Sequence, residues 1–197
     1  MIPARALLLA ALLCSILPGC ARITSFNLAT HREETSYTTT DKEVALGRKL
    51  ATQVEKHDEV LLDEPMQARI RTIGERLASV SDRHDVLYHF TVLKDDEVNA
   101  FSLPGGYVFV NEGLVKKTKS DDELAAVLAH EIGHVAARHS MKRYEGGLAA
   151  QLLQLATLAA ARSAPAAQGL VVAVHSAQLS YARQDELEAD GLGVTYL

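Results

Sequence analysis

Apolar residues recur every three or four positions in two segments of the chain, and this spacing predicts two amphipathic helices. The first helix is predicted to start at Thr40, three residues before Glu43 in a capping-box pattern, and to extend to about Lys56. The second is predicted to start near Pro65, since proline suits the first turn of a helix, and to carry apolar residues through Val80. Both helices are expected to bury one apolar face in a shared core.

After residue 87 the pattern changes to short runs of β-branched and aromatic residues, which predict strands. Extended segments are expected at 88–93, 99–103 and 107–110, with a tight turn at the Pro-Gly-Gly sequence of 104–106. Two helices, a small sheet and further helices give an α+β fold. We therefore expect a mostly helical domain in which a small β-sheet flanks one helix.

That helix is predicted to start after Ser120, which stands three residues before Glu123 in a second capping box. Acidic residues at its start and basic residues up to Arg143 suit the helix dipole, and the glycine pair at 146–147 is predicted to end it. Residues 148–179 are rich in Ala and Leu and are interrupted at Pro165, which predicts two buried or interfacial helices, with a helix lying on a membrane surface as the alternative. A last helix is predicted over 181–196.

The first twenty residues have the layout of an export signal. Arg5 precedes an apolar run of about 12 residues, which is too short to cross roughly 30 Å of hydrocarbon. Small residues and then Cys20 follow, as in a bacterial lipoprotein signal, although Pro18 departs from that pattern. Residues 1–19 are predicted to be removed and Cys20 to carry a lipid anchor, with the outer membrane facing the periplasm as the expected location. The polar segment 20–40 is expected to be a tether to a domain of residues 41–197.

Composition and charge narrow the class of function. The chain has 197 residues, of which 48% are hydrophobic and 23% charged, as in a globular domain. Its net charge of −5 argues against a nucleic-acid partner, because a surplus of basic residues is needed to neutralise phosphates. The two cysteines, Cys14 and Cys20, both lie in the predicted signal region, so the domain itself has no thiol chemistry.

The helix after Ser120 carries the sequence H-E-I-G-H, which runs from His130 to His134. Histidines four positions apart project from one helix face, so both rings can reach one metal ion. Neutral histidine nitrogens are good zinc ligands. Glu131 is displaced by about 100° around the helix, where it can flank the metal and hold a water molecule. The motif therefore predicts a zinc site.

A hydrolytic zinc site needs three protein ligands and one open position. A third histidine six residues after the motif is absent, and His139 falls one position short of that spacing. The better candidate is Glu186, which shares a helix face with Asp190. Asp190 would then orient a ligand histidine through its free N–H group. Glu188 points to another side of the helix and is expected to be solvated or paired with Arg183.

Three segments together resemble the zinc metallopeptidases of the CAAX prenyl protease type, which include the mitochondrial Oma-type and the bacterial BepA-like proteases. They are the sequence N-A-F-S-L-P-G-G that starts at Asn99, the H-E-x-x-H motif at His130, and the E-x-x-x-D element at Glu186. The resemblance covers roughly residues 41–197 and implies a zincin-like fold. With its leader, the layout is most similar to the periplasmic lipoprotein proteases of that family.

The resemblance implies one zinc ion per chain, with a general base beside it. His130, His134 and Glu186 would hold the zinc, and Glu131 would take a proton from water and deliver it to the leaving amine. It also implies that an edge strand borders the cleft and binds extended polypeptide substrates through backbone hydrogen bonds. The substrate-binding residues implied there are Asn99, Ala100 and Phe101.

The expected function is a zinc-dependent endopeptidase that hydrolyses misfolded or unassembled proteins of the cell envelope. Family members usually continue past the E-x-x-x-D element and supply a group there that stabilises the oxyanion, whereas this sequence ends at Leu197. We therefore expect a chain truncated at its C-terminal end, or the use of Arg183, Tyr181 or His175 instead. The alternative function is a catalytically silent outer-membrane lipoprotein that assists protein assembly by binding extended chains, with the outer-membrane assembly machinery as partner.

Overall fold

A computed structural model describes residues 23–148 and 183–197 of the chain. The predicted signal with Cys20 and almost all of the Ala- and Leu-rich segment lie outside these residues. The helices are α1 Thr40–His57, α2 Glu64–Val80, α3 Glu112–Lys117, α4 Asp121–Ala136, α5 139–148 and α6 183–196. The strands are β1 Ile23–Asn27, β2 Arg32–Ser36, β3 His89–Leu93, β4 Ala100–Leu103 and β5 Tyr107–Asn111. The predicted α+β and mostly helical fold is confirmed, and within the described ranges no helix has the length and apolar character to cross a membrane.

Strands β3, β4 and β5 form a mixed sheet with the order β3-β5-β4, in which β3 is parallel and β4 antiparallel to β5. The turn between β4 and β5 is the predicted one, and it requires glycine because Gly105 and Gly106 have φ angles of 76° and 94°. Among the described strands β4 is therefore at the edge of the sheet, and it lies against α4.

The main core lies where α2 and α4 pack on each other and on the sheet. Three α4 side chains on its inner face, Leu124, Leu128 and Ile132, are fully buried. From α2, Ile70 is also fully buried and Leu77 nearly so. Burying a side chain of this size contributes about 1.5–3 kcal/mol, so α4 is held firmly along its length and provides a rigid support for the histidine motif.

The start of α1 differs from the predicted capping box by one residue. The cap is Thr39, not Thr40, and its hydroxyl accepts a hydrogen bond from the Lys42 N–H at 3.4 Å. Glu43 is not a capping carboxylate, because its side chain is buried and paired with Arg83. The predicted cap at Ser120 is present, and α2 has Pro65 in its first turn as predicted, with Asp63 as its cap.

The helix with the histidine motif ends earlier than predicted. α4 stops at Ala136, and a second helix, α5, starts at residue 139, so the helix is interrupted well before the glycine pair. At the break Arg138 has a left-handed backbone with φ of 59°, which costs roughly 1–2 kcal/mol for a residue other than glycine. Its guanidinium is bound to the Glu43 carboxylate at 2.7 Å, and this ion pair offsets the cost.

Residues 23–36 form an antiparallel hairpin of β1 and β2, where a linker without regular structure was expected. The hairpin is held on the domain by polar contacts: Asn27 Nδ2 donates to the Ala136 carbonyl at 3.2 Å, and Lys142 Nζ lies 2.7 Å from Glu34 Oε1. Since these strands contribute little apolar surface, hydrophobic periodicity did not indicate them. Their role as a tether to a membrane stays a prediction.

Candidate metal centre

Three side chains from α4 and α6 converge on one point. The Nε2 atoms of His130 and His134 are 3.0 Å apart. The carboxylate of Glu186 reaches both rings, with one oxygen 3.3 Å from His130 Nε2 and the other 3.5 Å from His134 Nε2. One ligand atom from each residue lies within 4.8 Å of the other two. The structure therefore brings together all three residues that the sequence analysis proposed as ligands.

Glycines allow α6 to approach α4 closely enough for this arrangement. A Cβ atom at Gly133 would lie 2.8 Å from the carbonyl oxygen of Ala189, and one at Gly193 would lie 3.1 Å from the backbone nitrogen of His130. Ala189, the α6 residue at the contact, is fully buried. Small residues on both helices thus set the distance at which Glu186 reaches the histidines.

Alanine at Gly133 is expected to push α6 away from α4 and to weaken metal binding. Overpacking of this kind costs about 1–3 kcal/mol of folding stability. Gly191→Ala on α6 is the matched control, because a Cβ there meets no described atom within 4 Å and alanine favours a helix by about 1 kcal/mol. Urea unfolding and zinc titration against a chromophoric chelator measure both effects. Equal zinc affinity in the two variants would contradict this account of the helix contact.

Asp190 holds the first histidine in the orientation that a ligand needs. Its Oδ1 atom lies 2.8 Å from Nδ1 of His130, which leaves Nε2 directed at Glu186. Carboxylates that accept the free N–H of a ligand histidine fix its tautomer and its ring orientation. The geometry agrees with the orienting role that the sequence analysis assigned to Asp190.

His134 is kept neutral by its surroundings. Burial and the nearby charges of His130, His139 and Arg143 lower the pKa of His134 to about 3. A metal ligand must offer an unprotonated nitrogen, so this environment favours ligation.

Glu131 is buried beside these histidines. Burial raises the pKa of its carboxyl group above the ordinary value, and the negative charge of Glu186 adds to this, while the charge of His130 and the hydroxyl of Ser102 oppose it. A raised pKa makes this carboxylate a better proton acceptor than an ordinary exposed glutamate. Ser102, on β4, was not singled out by the sequence analysis.

His139 is the main residue of the site that the sequence analysis set aside. It is fully buried, its Nδ1 atom lies 2.9 Å from Nδ1 of His134, and its Nε2 atom lies 3.0 Å from Glu188 Oε2. The prediction for Glu188 was wrong, because its carboxylate pairs with His139 and with Arg32 of the hairpin, not with solvent or Arg183. Helical spacing could not reveal these contacts, since the break at 137–138 separates His139 from the periodicity of α4.

The predicted substrate-binding residues lie in and just before the edge strand β4. The Asn111 N–H donates to the Asn99 carbonyl at 3.0 Å. Because backbone groups alternate in an antiparallel pair, those of Asn99 and Phe101 face β5, whereas those of Ala100 and Ser102 face outward. The Ser102 carbonyl already accepts a hydrogen bond from the Ser140 hydroxyl at 2.9 Å. Of the three predicted residues, Ala100 is therefore the one whose backbone faces away from the sheet.

The structure adds a cation to the residues considered for oxyanion stabilisation. Arg183 is exposed on α6, while Tyr181 and His175 lie outside the described residues. Arg143 on α5, which the sequence analysis considered only as a basic residue near a helix end, has a positive charge that lowers the pKa of both Glu131 and His134.

Comparison with known proteins places this geometry in context. A family model described as "Peptidase family M48" matches residues 64–197. The beta-barrel assembly-enhancing protease of Yersinia pestis is 30% identical over 168 residues, which are 80% of this chain and 34% of that protein. Metalloprotease LoiP of Escherichia coli is 28% identical over 200 residues, covering 94% of this chain and 75% of LoiP. The mitochondrial metalloendopeptidase OMA1 of Schizosaccharomyces pombe is 43% identical over 79 residues, which are 40% of this chain and 23% of OMA1. The chain spans about a third of the length of the assembly-enhancing proteases that it matches.

Proposed function

Because the chain belongs to peptidase family M48, we propose that it is a zinc-dependent endopeptidase that cleaves polypeptides of the bacterial cell envelope. One observation carries the proposal: the ligand atoms of His130, His134 and Glu186 converge, with the buried Glu131 beside them. The edge strand β4 lies against the same helix, so an extended chain can be held next to these groups.

The three ligand residues fit zinc. Two imidazole nitrogens and one carboxylate oxygen are ligands that zinc prefers, and three protein ligands leave one position open. His134 is neutral, and Asp190 turns His130 so that its Nε2 atom faces the site. When bound there, zinc supplies a Lewis acid that makes water more acidic and polarises a carbonyl group.

Two parts of the chain act on the substrate in this proposal. Glu131 accepts a proton at its carboxylate from the attacking water and delivers it to the nitrogen of the leaving amine. The outward N–H and C=O groups of Ala100 bind the backbone of the substrate, as when a strand is added to a sheet edge. The ring of Phe101 stacks on that of Phe109, with centroids 5.2 Å apart, and this contact helps to hold β4 against β5.

The relatives suggest where the substrates come from. Those with the name beta-barrel assembly-enhancing protease indicate a role in the assembly of envelope proteins. We therefore include misfolded or unassembled envelope proteins as substrates and the outer-membrane assembly machinery as a partner. Lipid attachment at Cys20 would hold the domain at the outer membrane, where such substrates are exposed to it.

Replacing Glu186 with alanine is expected to remove the metal. Loss of even an outer partner of a ligand weakens metal binding by about 10- to 100-fold, so loss of a ligand itself is expected to exceed about 100-fold. Leu187→Ala, at an exposed neighbouring position of α6, is the control. Elemental analysis of the purified chain and chelator competition measure the zinc content and affinity. If Glu186→Ala retains one zinc ion per chain at unchanged affinity, the proposed ligand set is wrong.

A further inference from the structure

His139 lies on the side of His134 that faces away from the proposed metal position. The Nε2 atom of His134 faces His130 and Glu186, whereas its Nδ1 atom faces His139. His139 therefore contacts the nitrogen of His134 that faces away from the metal position, and it cannot be a ligand itself. It occupies the place that Asp190 occupies behind His130.

The pattern of contacts assigns one proton to each ring. A neutral imidazole has one N–H group, so a His134 that offers Nε2 to a metal must carry its proton on Nδ1. The 2.9 Å contact then makes Nδ1 of His139 the acceptor. The proton of His139 consequently sits on Nε2, where it is donated to Glu188 at 3.0 Å. This assignment gives each ring one donor and one acceptor. Starting from Glu188 leads to the same assignment, because its carboxylate accepts the Nε2 proton of His139 and leaves Nδ1 of His139 as an acceptor.

We infer that His139 is a positioning residue, which fixes the ring and tautomer of His134 and connects that ring to the carboxylate of Glu188. The inference rests on the metal site of the proposed function. It gives the two ligand histidines matching support from α6: Asp190 backs His130 directly, and Glu188 backs His134 through His139.

The surrounding fold is arranged to deliver His139 to this place. The left-handed Arg138, bound to Glu43, turns the chain between α4 and α5 so that the next residue points back at His134. A second carboxylate, that of Asp185, lies 3.7 Å from Nε2 of His139, and Arg32 of the hairpin pairs with Glu188. The hairpin is thus linked to the proposed metal site through a continuous series of polar contacts.

The test compares His139→Leu with His139→Asn in zinc affinity, measured by competition with a chromophoric chelator. Leucine removes the acceptor and is expected to weaken zinc binding by about 10- to 100-fold. Asparagine places its Oδ1 atom where Nδ1 stood, can accept the His134 N–H, and is expected to restore most of that loss. A residue that only fills the core would change the thermal unfolding of the metal-free chain and leave zinc affinity alike in the two variants.

Two further measurements keep the outcomes separate. In the zinc-loaded wild-type chain, ¹⁵N-detected histidine spectra should show His139 protonated at Nε2 and His134 at Nδ1; a proton on Nδ1 of His139 would overturn the inference. Glu186→Ala is measured alongside. If Glu186→Ala loses zinc and His139→Leu does not, the positioning role fails alone. If neither variant loses zinc, the proposed metal site itself fails.

Discussion

Glu131→Gln is expected to lower the rate of peptide hydrolysis by about 10²- to 10⁴-fold, the range that a general base contributes. Glutamine keeps the size and the hydrogen-bonding oxygen of Glu131 but cannot accept a proton. Glu131 is not among the three converging ligands, so zinc content should stay at the wild-type level. Cleavage of an unfolded protein such as casein, followed by gel and by mass spectrometry, measures the rate.

The control for this variant is Asp122→Asn, an exposed carboxylate in the first turn of the same helix, which should keep full activity. Unchanged proteolysis in Glu131→Gln would refute the assigned base. The same assay separates the two functions considered at the outset. A silent assembly factor would cleave nothing in either form and would suppress aggregation of unfolded chains without zinc.

Glu43→Ala is expected to destabilise the fold by about 3–5 kcal/mol, as when one partner of a buried ion pair is removed. The Glu43 carboxylate binds the Arg83 guanidinium through two hydrogen bonds of 2.9 and 3.0 Å, and it also binds Arg138 and the backbone N–H of Gly105. Without it, the buried Arg83 guanidinium keeps only the half-exposed Asp85 carboxylate, 3.0 Å from its Nε, as an anionic partner. Urea unfolding measures the loss, with the exposed Glu55→Ala on the same helix as control.

The same carboxylate makes stability depend on pH in a defined direction. Burial alone would raise the pKa of Glu43, but the hydrogen bonds and charges of Arg83 and Arg138 outweigh burial and lower it below the ordinary 4.5. The unfolded chain therefore takes up its proton at a higher pH than the folded chain does. The stabilisation is complete above about pH 4.5 and is lost as the pH falls through the lower, folded value. Glu43→Ala should flatten this acid dependence, and an unchanged dependence would contradict the role of the pair.

Glu43 affects the site through the turn at residues 137–138, which separates α4 from α5. Arg138 is held in its left-handed conformation by Glu43, and His139 is the next residue. Glu43 lies far from the proposed metal ligands in sequence, yet its ion pair with Arg138 supports the turn that brings His139 to His134. Stability and site geometry are therefore coupled at this junction.

The sequence by itself determined the features that depend on neighbouring residues. The i and i+4 spacing of His130 and His134, the cap at Ser120 and the shared face of Glu186 and Asp190 all follow from the geometry of one helix, which repeats every 3.6 residues. The strand before the Gly105 turn could also be predicted, because turn chemistry is local, whereas its place at the edge of the sheet was implied only by the family resemblance.

Only the tertiary structure decided which distant groups meet. Glu188 meets His139, and Glu43 meets two arginines, from segments far apart in the chain. His139 follows His134 by only five positions, but it reaches that ring because the backbone has left the helix between them. Their meeting depends on a backbone break and on a close helix crossing at Gly133, neither of which leaves a periodic signal. Local patterns specify which chemical groups each helix offers, whereas packing between helices selects the partners, because a buried polar group is stable only beside another that satisfies it.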